Sequence, residues 1–284
     1  MLVRTRGELA GVLSGRRPGP VVLVPTMGAL HAGHGALLAV ARAVPSACVI
    51  TSIFVNPLQF GPGEDLDRYP RALDADLAMC AAAGVDAVFA PSAADMYPGG
   101  QPAVTVDPGP VGKLLEGEFR PGFFGGVLTV VLKLFSLVRP DIAVFGEKDA
   151  QQLAMIRQMA ADFDLGVAIE AVPTVREPDG LAMSSRNRYL SDADRELALA
   201  LSRALGAGRD RAADGPSAVL AAAQAVLDES PKLDVDYLAL VDPGTFVPAS
   251  AGGPAVLAIA ARAGATRLID NMPLELGGPV AAGH

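Results

Sequence analysis

Four consecutive aliphatic residues, Val21-Val-Leu-Val24, lie between Pro20 and Pro25 and lead into Thr26-Met-Gly-Ala-Leu-His-Ala-Gly-His34. A short apolar run bordered by proline and glycine suits a strand buried on both faces. The alanine- and leucine-rich segment from Gly35 to Val44 predicts a helix. The turn between them holds Met27, Gly28, His31, Gly33 and His34. Such a turn leaves backbone N–H groups at a helix start, which is an arrangement that receives a phosphate.

Of three histidines, His284 ends the chain and His31 and His34 stand three apart in this turn. Imidazoles at a helix start can donate to phosphate oxygens without a fixed positive charge. The same spacing fits a pair of ordinary surface histidines. Zinc would need a third ligand, and no cysteine or carboxylate cluster lies nearby, so no metal ligands are assigned. A net charge of −8 without a basic run argues against nucleic acid and anionic membranes as partners. A phosphate-bearing ligand must then be met by a local cationic pocket. Cys48 and Cys80 fall in apolar stretches and read as reduced core residues of a cytoplasmic protein. No run of about eighteen apolar residues occurs; the longest candidate, Gly125 to Val138, is broken by Lys133. The N-terminal arginines are not followed by an apolar segment, so no secretory signal is expected.

Along the chain, Thr5-Arg-Gly-Glu8 has the spacing of a capping box opening a helix that ends near Gly15. Ala47–Val55 reads as a second buried strand and runs into Asn56-Pro-Leu-Gln-Phe60. Ligands of a parallel sheet sit beyond the carboxyl ends of its strands, which favours Asn56 and Gln59 as substrate contacts; ordinary turn chemistry fits Asn-Pro equally. A helix from Arg71 to Ala83, a strand from Asp86 to Pro91 and a short strand from Val104 to Val106 follow. The apolar helix Gly125–Val138 and the strand Asp141–Phe145 come next. That strand delivers Gly146-Glu-Lys-Asp149 into a helix with Gln151 and Gln152 in its first turn. Lys148 could be a point charge for phosphate oxygens or an ion-pair partner of Glu147 or Asp149. After the strand Val167–Val175, the stretch Arg176 to Ser191 carries three arginines and the pair Ser184-Ser185, and suits a mobile flap addressing an anion. Two alanine-rich helices and three strands with short turns then suggest a small α+β domain. The Gly-, Pro- and Ala-rich tail after Leu276 is expected to be disordered. The fold class is therefore α/β, a doubly wound parallel sheet (residues 1–182) with a smaller α+β domain (residues 183–284).

Four stretches taken together resemble the pantothenate synthetase family of ATP-dependent pantoate–β-alanine ligases. They are Pro25–His34, Phe54–Phe60, Phe145–Asp149 with Gln151-Gln152, and Met183-Ser-Ser-Arg-Asn-Arg-Tyr-Leu190. The resemblance covers nearly the whole chain. His-x-Gly-His alone marks the wider nucleotidyltransferase superfamily; the other stretches narrow it to the ligases.

The resemblance implies a Rossmann-like first domain that binds ATP and pantoate, a lid-like second domain and a homodimer. It implies two half-reactions through a pantoyl adenylate, with Mg2+ accompanying the triphosphate. By the same resemblance His34, His31, Lys148, Arg186, Ser184 and Ser185 are catalytic. Met27, Gly28, Gly146, Asp149, Val175 and Met183 join them around ATP, while Gln59, Gln152 and Asn56 hold pantoate or β-alanine. Three positions depart from the family pattern: Phe123 stands for a histidine, Ala150 for an aromatic and Gly35 for a larger apolar residue. The rival readings are another nucleotidyltransferase and a non-catalytic nucleotide-binding module. A periplasmic solute-binding protein is argued against by the absent signal segment.

Overall fold

A computed structural model describes residues 1–277. The tail expected to be disordered lies, from residue 278 on, outside the described residues. The first elements are β1 (Leu2–Val3), α1 (Arg6–Gly15), β2 (Val21–Thr26), α2 (Ala32–Ala43), β3 (Cys48–Ile53), α3 (Leu73–Ala82), β4 (Ala87–Phe89) and α4 (Ala93–Met96). They are followed by α5 (Glu116–Phe119), α6 (Phe123–Val138), β5 (Ile142–Gly146), α7 (Ala150–Asp162) and β6 (Ala168–Val172). The chain closes with α8 (Asp192–Arg209), α9 (Pro216–Asp228), β7 (Asp234–Val241), β8 (Gly253–Ala263) and β9 (Thr266–Leu276).

Two compact units result. The first comprises Met1–Lys113, Arg120–Glu147 and Met155–Pro173; the second comprises Leu114–Phe119, Lys148–Ala154 and the chain from Thr174 on. The division thus runs between Pro173 and Thr174, ahead of the boundary expected after Ala182, and two short excursions belong to the second unit.

The first unit is built on a parallel sheet in the order β1-β4-β3-β2-β5-β6. The apolar run that opened the sequence is its centre: Val22, Leu23 and Val24 have no exposed surface. β2 pairs residue by residue with β3, from Val21↔Cys48 to Thr26↔Ile53, and with β5 at Val22↔Ile142. The carboxyl ends of β2, β3 and β5 therefore open on the same edge, where ligands of parallel sheets bind. Helix α6 can lie against the 3-10 turn Pro57–Gln59 only because residue 126 is glycine. A Cβ there would fall 2.1 Å from the Leu58 carbonyl oxygen. The strand expected at Val104–Val106 is irregular. The Val106 N–H donates to the Thr129 hydroxyl at 3.0 Å instead of entering a ladder.

One buried carboxylate shapes the turn after β2. Gly28 and Ala29 both have left-handed backbone, with φ of 85° and 51°. For alanine this costs about 1–2 kcal/mol. Asp76 of α3, 2% exposed, accepts from the N–H of Ala29 at 2.9 Å and of Leu30 at 2.7 Å. Each bond to a charged acceptor is worth about 1.5–3 kcal/mol, so the pair outweighs the strain.

In the second unit β7, β8 and β9 form an antiparallel sheet. Gly264, at φ 58°, sits in the two-residue turn of the expected hairpin. Leu201 and Leu205 of α8 and Val219 of α9 share a core with Leu257 and Ile259 of β8. The excursions are held by polar side chains. Glu116, 5% exposed, accepts from Arg267 at 2.8 and 2.6 Å and from the Tyr237 hydroxyl at 3.1 Å. Arg267 also donates to Asp236 at 2.6 Å. Burial, then the Glu116 charge, pushes the Tyr237 phenol up and keeps it a donor. Gln151 donates to the Leu114 carbonyl at 2.9 Å, and Asn271 donates to the Lys148 carbonyl at 2.7 Å.

Two stability measurements check these anchors. Asp76→Ala removes the acceptor of two N–H groups and is expected to cost about 3–6 kcal/mol in urea unfolding, with a loss below about 1 kcal/mol contradicting the assigned role. Arg267→Met leaves Glu116 buried without its cation, for an expected loss of about 3–5 kcal/mol; an unchanged midpoint would show the ion pair to be dispensable.

Candidate active site

The first unit gathers Met27, Gly28, His31, His34, Asn56 and Gln59 at the carboxyl edge of its sheet. Helix α2 starts one turn earlier than the alanine-rich run suggested. His31 is its N-cap and His34 lies in its first turn. The His31 Nδ1 accepts from the Gly33 N–H, and the His34 Nδ1 accepts from the His31 N–H, each at 3.2 Å. This is a reciprocal capping box made by two imidazoles in place of a hydroxyl and a carboxylate. The ring centroids stand 4.1 Å apart. Because each Nδ1 accepts a backbone proton, each neutral ring carries its own proton on Nε2. Gly28 is buried, and its N–H donates to the Thr26 hydroxyl at 3.2 Å.

Beyond β3, Gln59 is 8% exposed, and its Nε2 donates to the Met27 sulfur at 3.1 Å. The Asn56 carboxamide, 1% exposed, donates to Gln59 Oε1 and the Gly126 carbonyl and accepts from Tyr97 and Leu58, so its hydrogen-bonding capacity is filled by the protein. It is bonded directly to Gln59. Arg120 donates to the Gln59 carbonyl at 3.2 Å, pairs with Glu64 at 2.7 Å and lies 3.7 Å over the Phe123 ring. Phe123 thus packs a guanidinium.

Gly146 ends β5, the hydrogen-bonded neighbour of β2, so the turns after β2 and β5 leave adjacent strands on one edge. Lys148 and Asp149, two residues farther on, belong to the second unit. There the Lys148 carbonyl is pinned by Asn271. Gln152 is half-buried in the first turn of α7, whereas Gln151 is buried and held by its bonds to the 114–119 excursion.

The stretch expected as a flap folds as a hydrogen-bonded hairpin within the second unit. Arg176 and Ala182 form a bridge, and the Met183 N–H donates to the Val175 carbonyl at 2.9 Å. Arg195 clamps Glu177 and Asp179, both at 2.6 Å. Arg176 pairs with Asp270 at 2.6 Å. The Ser184 hydroxyl accepts from the Arg186 N–H at 3.2 Å and starts a 3-10 turn, which places Ser185 and Arg186 in its first residues.

Asp76, Tyr97, Arg120 and Asn271 were not singled out from the sequence. Asp76 had left a signal: a carboxylate between Leu73 and Cys80 falls on the buried stripe of α3. Among the described residues no helix is long and apolar enough to cross a membrane, and no group of three or more His, Cys, Asp or Glu could hold a metal ion.

Comparison with known proteins gives a consistent result. A family model described as Pantoate-beta-alanine ligase matches residues 2–273. The pantothenate synthetase of Thermobifida fusca is 62% identical over 290 residues, covering 97% of this chain and 96% of that protein. That of Mycolicibacterium smegmatis is 60% identical over 264 residues, covering 93% and 82%. The crystal structure of pantothenate synthetase from Thermus thermophilus superposes with a TM-score of 0.88 at 48% identity, covering 95% of this chain and 98% of that one. A pantoate-beta-alanine ligase from Francisella tularensis, complexed with Beta-gamma ATP and Beta-alanine, superposes with a TM-score of 0.79 at 33% identity, covering 96% and 97%. The parallel sheet, the imidazole-capped turn and these likenesses agree, and the chain belongs to the pantoate–β-alanine ligase family.

Proposed function

We propose that this protein joins pantoate to β-alanine at the expense of ATP, releasing AMP and pyrophosphate, through a pantoyl adenylate. The observation that carries the reading is the reciprocal imidazole cap, which holds both histidines at the start of α2 beyond a central strand with each Nδ1 turned to the backbone. A pantoate carboxylate oxygen attacks the α-phosphorus, and the bond to the bridging β-phosphate oxygen breaks to release pyrophosphate. The neutral amine of β-alanine then attacks the acyl carbon, the bond to AMP breaks, and the nitrogen loses a proton.

The first step brings anion to anion, so the residues must supply donors where phosphoryl charge accumulates. His34 and His31 donate to the phosphoryl oxygens, and Lys148 adds a point charge at the α-phosphate. Ser184, Ser185 and Arg186 hold the pyrophosphate side. Met27, Gly28, Gly146, Asp149, Val175 and Met183 surround the nucleotide, and Gln59 and Gln152 grip pantoate. No side chain forms a covalent intermediate. Catalysis is positioning and electrostatics, with the adenylate kept from water.

Magnesium enters with the triphosphate. Mg2+ bound to the triphosphate would supply positive charge to its oxygens. The same reading makes the protein a cytoplasmic homodimer.

Purified protein is expected to release AMP in steady turnover only with pantoate and β-alanine both present. Full-rate AMP release without β-alanine contradicts coupled ligation. His34→Ala and Lys148→Ala are each expected to lower kcat at least about a hundredfold, the effect of removing a transition-state donor. Near-normal turnover in either variant removes that residue from the mechanism.

A further inference from the structure

The carboxamide of Asn56 is oriented by backbone groups that admit one choice. Its oxygen faces the Leu58 N–H at 3.3 Å, which can only donate. Its nitrogen faces the Gly126 carbonyl at 3.1 Å, which can only accept. A flipped amide would set donor against donor and acceptor against acceptor inside the protein. With Asn56 fixed, its second N–H meets Gln59 Oε1 at 3.0 Å, so the Gln59 oxygen points inward and its NH2 points the other way.

The NH2 group of Gln59 lies 3.1 Å from the Met27 sulfur. A thioether is a weak acceptor, readily exchanged for a better one. Tyr97, 7% exposed, completes the relay by donating its hydroxyl to the Asn56 oxygen at 2.9 Å. Burial pushes the Tyr97 phenol up, so it remains a donor over the working pH range.

We propose that Tyr97 and Asn56 are positioning residues that fix Gln59 as a hydrogen-bond donor, so that its subsite selects a substrate oxygen able to accept and refuses an ammonium group. Pantoate offers such oxygens in its hydroxyls and carboxylate. The ammonium of β-alanine would set donor against donor. Substrate discrimination at this point therefore comes from amide polarity, set two residues away from the ligand. The inference rests on the reading of Gln59 as a pantoate contact.

A double-mutant cycle with Tyr97→Phe, Gln59→Met and the combined variant tests it. Tyr97→Phe is expected to raise the KM for pantoate about two- to tenfold, the worth of one net hydrogen bond, and to change it more than kcat or the KM for ATP. In the Gln59→Met background the same change should have no further effect, because its route is gone. Additive effects, or a KM for ATP that moves equally, would show a general structural role and overturn the relay. If Gln59→Met leaves the KM for pantoate untouched, the substrate contact itself is wrong and the relay falls with it.

Gln59→Glu supplies a variant independent of Tyr97. It keeps the inward oxygen and removes the outward donor, and is expected to raise the KM for pantoate at least about tenfold. An unchanged value would refute donor selection even if Tyr97→Phe failed to fold.

Discussion

The grip of one buried carboxylate on two backbone N–H groups governs the geometry of the candidate active site. Asp76 accepts from Ala29 and Leu30 and so offsets the cost of the left-handed backbone at Ala29 on the path from β2 into α2. That path delivers His31 to the N-cap and His34 to the first turn. The imidazoles then cap each other's backbone and so choose their own tautomers. Helix start, ring placement and proton position are one linked arrangement.

The same logic recurs at Gln59. Side chains that read as ligand contacts in the sequence are oriented by backbone groups with a single hydrogen-bonding sense. For the histidines these are the N–H groups of Gly33 and His31; for Asn56, and through it Gln59, they are Leu58 N–H and Gly126 C=O. Backbone groups cannot change polarity, so the site's donors are set before substrate arrives. Preorganised donors of this kind lower barriers without reorganising during the reaction.

The strands of the first unit were readable because buried parallel strands are unbroken aliphatic runs: Val21–Val24, Val49–Ile50 and Ala143–Phe145 all carry that mark. The capping box at Thr5 and the hairpin at Gly264 were readable from local turn chemistry. Other features depend on partners distant in sequence. β1 has only two residues and no periodicity, and exists through its pairing with β4. The start of α2 was placed late because histidine is not a usual N-cap residue. Asn56 gave no sign that Tyr97 and Gly126 fill its valences, nor Arg176 that it pairs with Asp270. The excursions at 114–119 and 148–154 join the second unit through Glu116–Arg267 and Gln151, contacts that leave no pattern in either segment.

The family's chemistry follows from these constraints if the capped turn receives the α-phosphoryl group while a carboxylate attacks it. That claim fixes the fate of one atom. Pantoate labelled with 18O in its carboxylate, turned over with ATP and β-alanine, should give AMP carrying one labelled oxygen and pyrophosphate carrying none. Label in phosphate or pyrophosphate, or unlabelled AMP, would place the attack elsewhere and contradict a pantoyl adenylate formed at the α-phosphorus.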